Sequence, residues 1–91
     1  MTRAQFARWL QFLRSGKYPQ GIHQLTAFRD NGTQEYCPLG VLHYVVGVNV
    51  RWLSNDFIAY VVKLNDNFKL SFPEIANRLQ ACPPEWLNIS D

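Results

Sequence analysis

Residues 22–47, with the sequence IHQLTAFRDNGTQEYCPLGVLHYVVG, contain the signals that decide the fold. Asn31-Gly32 is the dipeptide that best tolerates the positive φ angles of a tight hairpin turn. The residues on either side alternate imperfectly between apolar and polar, and we predict a β-hairpin over residues 22–37. Two strands alone are marginally stable in water, so this hairpin requires helices to pack against.

A helix is predicted to follow the hairpin at Pro38, because proline suits the first helical turn, where its missing N–H would have no partner anyway. An apolar stripe at helical spacing continues from there, and Gly47 is expected to end the helix. Gly40 inside a helix costs about 1 kcal/mol relative to alanine, which we interpret as a sign of close contact with another helix. The β-branched residues between 41 and 50 leave a strand open as the alternative.

Apolar residues at helical spacing predict three further helices, each with its own capping or stopping signal. These signals are Gly16 for the first helix, Ser54 for the second, and Ser71, Glu74 and Pro83-Pro84 for the third. The first helix is expected over residues 2–14, and the second is expected to break at residues 65–67. The sequence therefore predicts a small, mostly helical α+β domain with about four short helices and one β-hairpin.

The length of 91 residues fits one globular domain, residues 1–91. With 47% hydrophobic and 14% aromatic residues, this domain can bury a core without metals or several disulfides. No cofactor is expected, and no metal site either, because the two cysteines and two histidines lack the paired short spacings of zinc ligands. A net charge of +2 excludes a strongly basic nucleic-acid coat.

The sequence also indicates a cytoplasmic protein without membrane contact. Charged residues interrupt the N-terminal segment, which therefore lacks the apolar core of a signal peptide. No stretch approaches the roughly 20 apolar residues of a membrane span. We accordingly expect Cys37 and Cys82 to be reduced.

Charge is distributed unevenly along the chain. All seven acidic residues lie after residue 29, whereas five of the nine basic residues lie before residue 30. Arginine and exposed aromatic residues dominate the energetics of protein interfaces, and we predict a partner-binding surface that is basic and aromatic. Its residues are Arg3, Arg8, Arg14, Lys17 and Trp52. An acidic protein surface is the expected partner. Nucleic acid is a weaker alternative, because the basic residues are spaced rather than clustered. In the structural alternative, these residues form a solvated helix face and bind no partner.

Three segments occur in an order that we recognise. They are LRSGKYPQG at residues 13–21, YCPLGVL at residues 36–42, and LND at residues 64–66 followed by SFPEIA at residues 71–76. Together they resemble a family of small, uncharacterised bacteriophage and prophage proteins. That family usually has a cysteine where Pro38 stands, and often another where His43 stands, which counts against a thiolate metal site here. The resemblance implies a phage origin and the cytoplasm of a bacterial host, but no mechanism.

Four polar or aromatic residues in these segments are candidates for binding a small ligand: Tyr18, Gln20, Asn65 and Asp66. An amide pair and a carboxylate can hydrogen-bond the edge of a nucleobase or sugar while an aromatic ring stacks on it. In the structural alternative, Asn65 and Asp66 cap helices and Gln20 satisfies loop carbonyls.

Cys37 precedes a predicted helix N-terminus, where the helix dipole can lower the pKa of a thiol. His23 and His43 are candidate bases for such a nucleophile. The alternative is a small buried thiol that packs the hairpin against the helix. Because the sequence locates neither an orienting third group nor an oxyanion hole, we expect no enzymatic activity.

These observations predict a small, phage-derived, non-enzymatic binding protein that inhibits or modulates a host defence or regulatory protein. The alternative is a protein that binds or sequesters a small, nucleotide-like ligand. Self-association would suit the alternative, because a domain of this size encloses a ligand better between two subunits.

Overall fold

Four helices and one two-stranded antiparallel sheet form the protein, which the computed structural model describes over residues 1–90. In chain order the elements are α1 (Arg3–Arg14), β1 (Thr26–Phe28), β2 (Gln34–Tyr36), α2 (residues 38–46), α3 (residues 55–67) and α4 (Phe72–Gln80), with single 3₁₀ turns at Val50–Trp52 and Pro84–Trp86. Helices α2 and α3 each begin as α-helix and end as π-helix, over Val41–Val46 and Lys63–Asn67 respectively. The predicted mostly helical α+β domain is confirmed.

The hairpin turn is formed around Gly32, which has a φ angle of 85°. Asn31 keeps a negative φ angle, and its side-chain oxygen accepts a hydrogen bond from the N–H of Thr33 at 3.0 Å. The strands have three residues each and are shorter than the predicted hairpin over residues 22–37. Between Gly21 and β1, the N–H of His23 donates to Asp66 in α3, whereas Pro19 and Gly21 pair with Tyr36 of β2 through an isolated parallel bridge outside the hairpin.

Helix α2 begins at Pro38, as predicted, and ends at Gly47 in the left-handed conformation with a φ angle of 92°. The strand considered for residues 41–50 is therefore wrong. Gly40 does make a close contact, but its partner is the backbone of Leu25, in the loop before β1, and not another helix. A Cβ atom at Gly40 would overlap the carbonyl oxygen of Leu25 and lie 2.7 Å from its carbonyl carbon.

Helix α1 joins the N-terminal and central parts of the core through Trp9. This side chain is fully buried, and its indole Nε1 donates a hydrogen bond to the carbonyl oxygen of Pro38 at 2.8 Å. The same ring packs against Phe6 and Phe57 with centroid separations of 6.3 and 6.1 Å. Helix α1 also packs along α4, so α1 is held between the start of α2 and the C-terminal half of the chain.

Helix α3 does not break at residues 65–67 as the sequence suggested; it continues to Asn67 as a π-helix. An asparagine usually interrupts a helix by hydrogen-bonding to nearby backbone groups. Asn65 instead points into the interior and donates to the distant carbonyl oxygen of Gly21 at 2.9 Å. The predicted Ser54 cap and the Ser71–Glu74 capping box are both confirmed.

The core consists mainly of aliphatic side chains from all four helices, closed at one end by Leu87 after the last 3₁₀ turn. The side chain of Asn88 ties this C-terminal segment to the start of α3, because it accepts a hydrogen bond from the N–H of Ser54 at 2.8 Å. Within residues 1–90, no helix has the length and apolar character needed to cross a membrane.

Candidate functional site

The predicted ligand residues Gln20 and Asn65 meet in a hydrogen-bonded network. The Nε2 atom of Gln20 donates to Asn65 Oδ1 at 2.8 Å and to the carbonyl oxygen of Leu70 at 2.7 Å. Its Oε1 atom accepts from the N–H of Phe72, the first residue of α4, at 3.0 Å. Gln20 thereby satisfies one of the backbone donors that a helix N-terminus leaves unpaired.

Asp66 fixes the loop that precedes the hairpin. Its Oδ2 atom accepts from the backbone N–H of His23 at 3.2 Å and lies 3.2 Å from the Nδ1 atom of the same residue. Its Oδ1 atom accepts from Asn65 Nδ2 at 2.8 Å. His23 has a φ angle of 70°, which is unusual for a residue with a side chain, and the two contacts to Asp66 hold it there.

Tyr18 lies outside this network, because its ring packs edge-on between Phe12 and Tyr36 with centroid separations of 5.7 and 5.6 Å. These two ring contacts give Tyr18 a packing role between α1 and β2. A cavity of about 190 Å³ does lie beside Asp66, but known ligand pockets measure about 300–1,000 Å³. The arrangement therefore favours the structural role of these residues over the binding of a nucleotide-sized ligand.

Cys37 occupies the N-cap position of α2 and borders the same cavity as His23 and Asp66. Its sulfur accepts a hydrogen bond from the N–H of Gly40 at 3.4 Å. Burial nevertheless raises the pKa of the Cys37 thiol above its ordinary value; the Gly40 hydrogen bond opposes this rise, and the charge of Asp66 adds to it. The pKa shift is thus opposite to the one that the helix dipole suggested, and the thiol serves as a buried cap.

Both cysteines are free, and their reactivities should differ. We expect iodoacetamide at pH 8 to alkylate the partly exposed Cys82 at least about tenfold faster than Cys37, since alkylation requires an accessible thiolate. Mass spectrometry of the single variants Cys37→Ser and Cys82→Ser measures each rate separately. The difference should vanish in denaturant, and equal rates in the native protein would contradict the buried-cap assignment.

The five residues of the predicted partner surface do not all lie together. Arg14 lies at the C-terminal end of α1, where its guanidinium donates to Asn77 Oδ1 at 2.9 Å and to Gln80 Oε1 at 2.6 Å. Arg3 begins the same helix, and a rise of about 1.5 Å per residue places the two about 16 Å apart along the axis. Arg14 therefore links α1 to α4 rather than extending a surface around Arg3.

Arg8 and Lys17 lie over aromatic rings. The Cζ atom of Arg8 is 5.8 Å from the ring centroid of Phe12, and the Nζ atom of Lys17 is 5.8 Å from that of Tyr18. Such exposed cation–π contacts contribute about 0.5–1 kcal/mol each. With about 100° between successive helical residues, Arg8 also lies about 140° around α1 from Arg3. The basic residues of α1 thus do not form one binding face.

Trp52, in contrast, is 85% exposed at the end of the 3₁₀ turn Val50–Trp52. Val50, which begins the turn, and Leu53, which follows it, are both buried and fix the turn in place. The side chain of Asn49 caps it. A surface cavity of about 590 Å³ lies beside the indole, and its lining includes Met1, Gln5, Val48 and Ile89. We call Trp52, the adjacent exposed Arg51 and this cavity the Trp52 surface.

A second exposed indole belongs to Trp86, which is 66% exposed and is also a candidate anchor for a protein partner. It borders a separate cavity of about 430 Å³, between the start of α3 and the last 3₁₀ turn. Asn88 lines both this cavity and that of the Trp52 surface, so the two surfaces are neighbours. Pro83 precedes this turn and Pro84 begins it, so both prolines restrict the backbone next to Trp86.

Comparison with protein-family models, with curated proteins and with solved structures finds no match to this chain. Among residues 1–90, no group of three or more His, Cys, Asp or Glu side chains is arranged to hold a metal ion.

Proposed function

We propose that this protein is a non-enzymatic binding protein that acts by occupying another protein through the Trp52 surface. In view of the resemblance to phage proteins, the proposed partner is a bacterial host protein, such as a defence or regulatory factor. The observation that carries the proposal is the 85% exposure of Trp52 on a turn whose neighbouring residues are buried.

The rigidity of the turn supports this role. A turn whose backbone is already ordered loses little conformational freedom when a partner covers it, which favours affinity. Tryptophan is also among the residues that contribute most to binding energy in protein interfaces. The cavity beside Trp52 offers apolar area that an apolar side chain of the partner can fill.

Charge favours an acidic partner. Arg51 is exposed next to Trp52, and among the described residues no acidic side chain lines the cavity of the Trp52 surface. A complementary acidic surface would be attracted to this region, and salt would weaken the attraction because the Debye length is only about 8 Å at physiological ionic strength.

The test is affinity capture from bacterial lysate with the immobilised protein and its Trp52→Ala variant. We expect at least one host protein to be captured by the wild type and its affinity for Trp52→Ala to fall by about 30-fold or more, because a central tryptophan contributes about 2 kcal/mol or more. Arg51→Glu should weaken the same complex and reduce its sensitivity to salt.

Phe28→Ala is the matched control, because Phe28 is 73% exposed on β1 and does not line the cavity beside Trp52. It should capture the same protein as the wild type. If every captured protein binds Trp52→Ala as tightly as the wild type, the proposed surface is wrong.

A further inference from the structure

The cavity beside Trp86, which we call the Trp86 groove, has a chemistry different from that of the Trp52 surface. Helix α3 contributes Asp56, Phe57 and Tyr60 to it, and the last 3₁₀ turn contributes Glu85 and Trp86. Its volume of about 430 Å³ is within the range of pockets that enclose small groups.

The groove is held in shape by both of its walls. On one side, Ser54 caps α3 and exchanges hydrogen bonds with Asn88, whose Nδ2 atom donates to Ser54 Oγ at 3.2 Å. On the other side, the N–H of Trp86 donates to the carbonyl oxygen of Pro83 at 2.9 Å, and the next residue, Leu87, is buried. Trp86 is thus presented on a turn that is anchored on both sides.

Three aromatic rings and two carboxylates converge on this groove, while no lysine, arginine or histidine among residues 1–90 lines it. Within the same residues, neither Asp56 nor Glu85 forms a salt bridge. Burial raises the pKa of Tyr60, and the charge of Arg78 opposes this rise. The side chains present are therefore those that favour a cation.

We propose that the Trp86 groove binds an arginine side chain on an exposed segment of a partner protein. A guanidinium group is planar, so it can stack on the Trp86 indole while its N–H groups donate to a carboxylate. Asp56 and Glu85 supply that carboxylate from the two walls of the groove. A lysine ammonium can meet the same charges, but it has no planar face to stack.

A partner other than a second copy of this chain fits the groove better. The groove and the basic residues of α1 are different surfaces, so pairing them between copies would be a head-to-tail contact, which forms open chains unless the rotation closes a ring. The proposal goes beyond the Trp52 surface, since it assigns a second site with the opposite charge preference.

The probe is the peptide acetyl-Gly-Gly-Arg-Gly-Gly-amide, and the measurement is the NMR signal of each tryptophan indole N–H during titration. We expect the Trp86 signal to shift with a dissociation constant of about 1 mM, typical of a single side chain in a shallow site, while the signals of Trp9 and Trp52 stay unchanged. The matching citrulline peptide, which has the same shape without the charge, should bind at least about tenfold more weakly. The Asp56→Asn, Glu85→Gln double variant should lose a similar factor.

Each other outcome overturns a defined part of the proposal. Equal binding of the citrulline peptide, or no shift of the Trp86 signal, excludes a cation site. Tighter binding of the same peptide with lysine in place of arginine excludes the stacked guanidinium. Self-association in sedimentation that disappears in the Asp56→Asn, Glu85→Gln variant would identify a second copy as the occupant. None of these results depends on the Trp52 surface, whose indole signal serves as the internal reference.

Discussion

Gly40→Ala is expected to destabilise the protein by at least about 3 kcal/mol, a large share of the 5–15 kcal/mol that typically stabilises a domain. The added Cβ would overlap the carbonyl oxygen of Leu25, and no side-chain rotation can relieve this, because the backbone fixes the Cβ and the oxygen is itself a backbone atom. Relief requires the loop before β1 to move off α2, which would also break the hydrogen bond from the N–H of Cys37 to that carbonyl oxygen. Urea denaturation measures the change.

Whether Gly40→Ala lowers or raises the stability distinguishes the contact with Leu25 from the intrinsic preference of alanine for a helix. Alanine is about 1 kcal/mol more favourable than glycine inside a helix, so a helix without the Leu25 contact would be stabilised by the same substitution. Gly47→Ala is the matched control at the other end of α2, because no atom lies within 4 Å of the position its Cβ would take. Its cost should be limited to about 1–2 kcal/mol from the positive φ angle.

A Gly40→Ala protein as stable as the wild type, or more stable, would show that α2 and the loop do not approach this closely. Failure to obtain folded Gly40→Ala protein while Gly47→Ala folds normally would agree with the expectation. Hydrogen exchange at the N–H of Cys37 offers an independent measurement, because this amide donates to the displaced carbonyl and should lose its protection.

Gly40 also illustrates how far the sequence predicts the fold. Helical periodicity, Pro38 and Gly47 were sufficient to predict α2, since these signals act within a few residues. The glycine correctly indicated a close contact, but its partner could not be predicted because Leu25 lies across the hairpin. Local signals specify elements, whereas the pairing of their surfaces depends on the packing of the whole chain.

The π-helical ends of α2 and α3 had no recognisable signal in the sequence. Asn65 in the sequence predicts a helix break, because asparagine usually hydrogen-bonds to nearby backbone groups. Its actual partners, Gln20 and the carbonyl oxygen of Gly21, come from the distant loop before the hairpin. Helix α3 continues through Asn65 because hydrogen bonds to this distant loop replace the local backbone hydrogen bonds that would break the helix.

The two predicted sites also differ in how well the sequence predicts the positions of their residues. Gln20, Asn65 and Asp66 were expected to lie together, and they do, because the loop before the hairpin packs against the end of α3. Arg14 was grouped with Arg3 by sequence proximity, but its side chain reaches α4. A count of charges along a segment cannot distinguish an arginine that faces solvent from one that bridges two helices.

Asn65→Leu is expected to destabilise the protein by about 2–4 kcal/mol, although leucine keeps the size of the side chain. Asn65 is only 1% exposed, and all of its observed hydrogen bonds are made in the interior or at its edge. Leucine would leave the carbonyl oxygen of Gly21 and one N–H of Gln20 without their partners, and each such group costs about 1–3 kcal/mol when buried. Urea denaturation of Asn67→Leu, an exposed position in the same π-helix, should show a change within about 0.5 kcal/mol.

A double-mutant cycle with Gln20→Met determines whether the loss comes from the network or from helix α3 alone. If Gln20 and Asn65 stabilise the fold together, the double variant should lose less than the sum of the single losses, with a coupling of about 0.5–3 kcal/mol. Additive losses would mean that Asn65 acts only through Gly21 and Asp66. An Asn65→Leu protein as stable as the wild type would remove the structural explanation for these side chains, and a ligand near Gln20 and Asp66 would then again be the better reason for their presence.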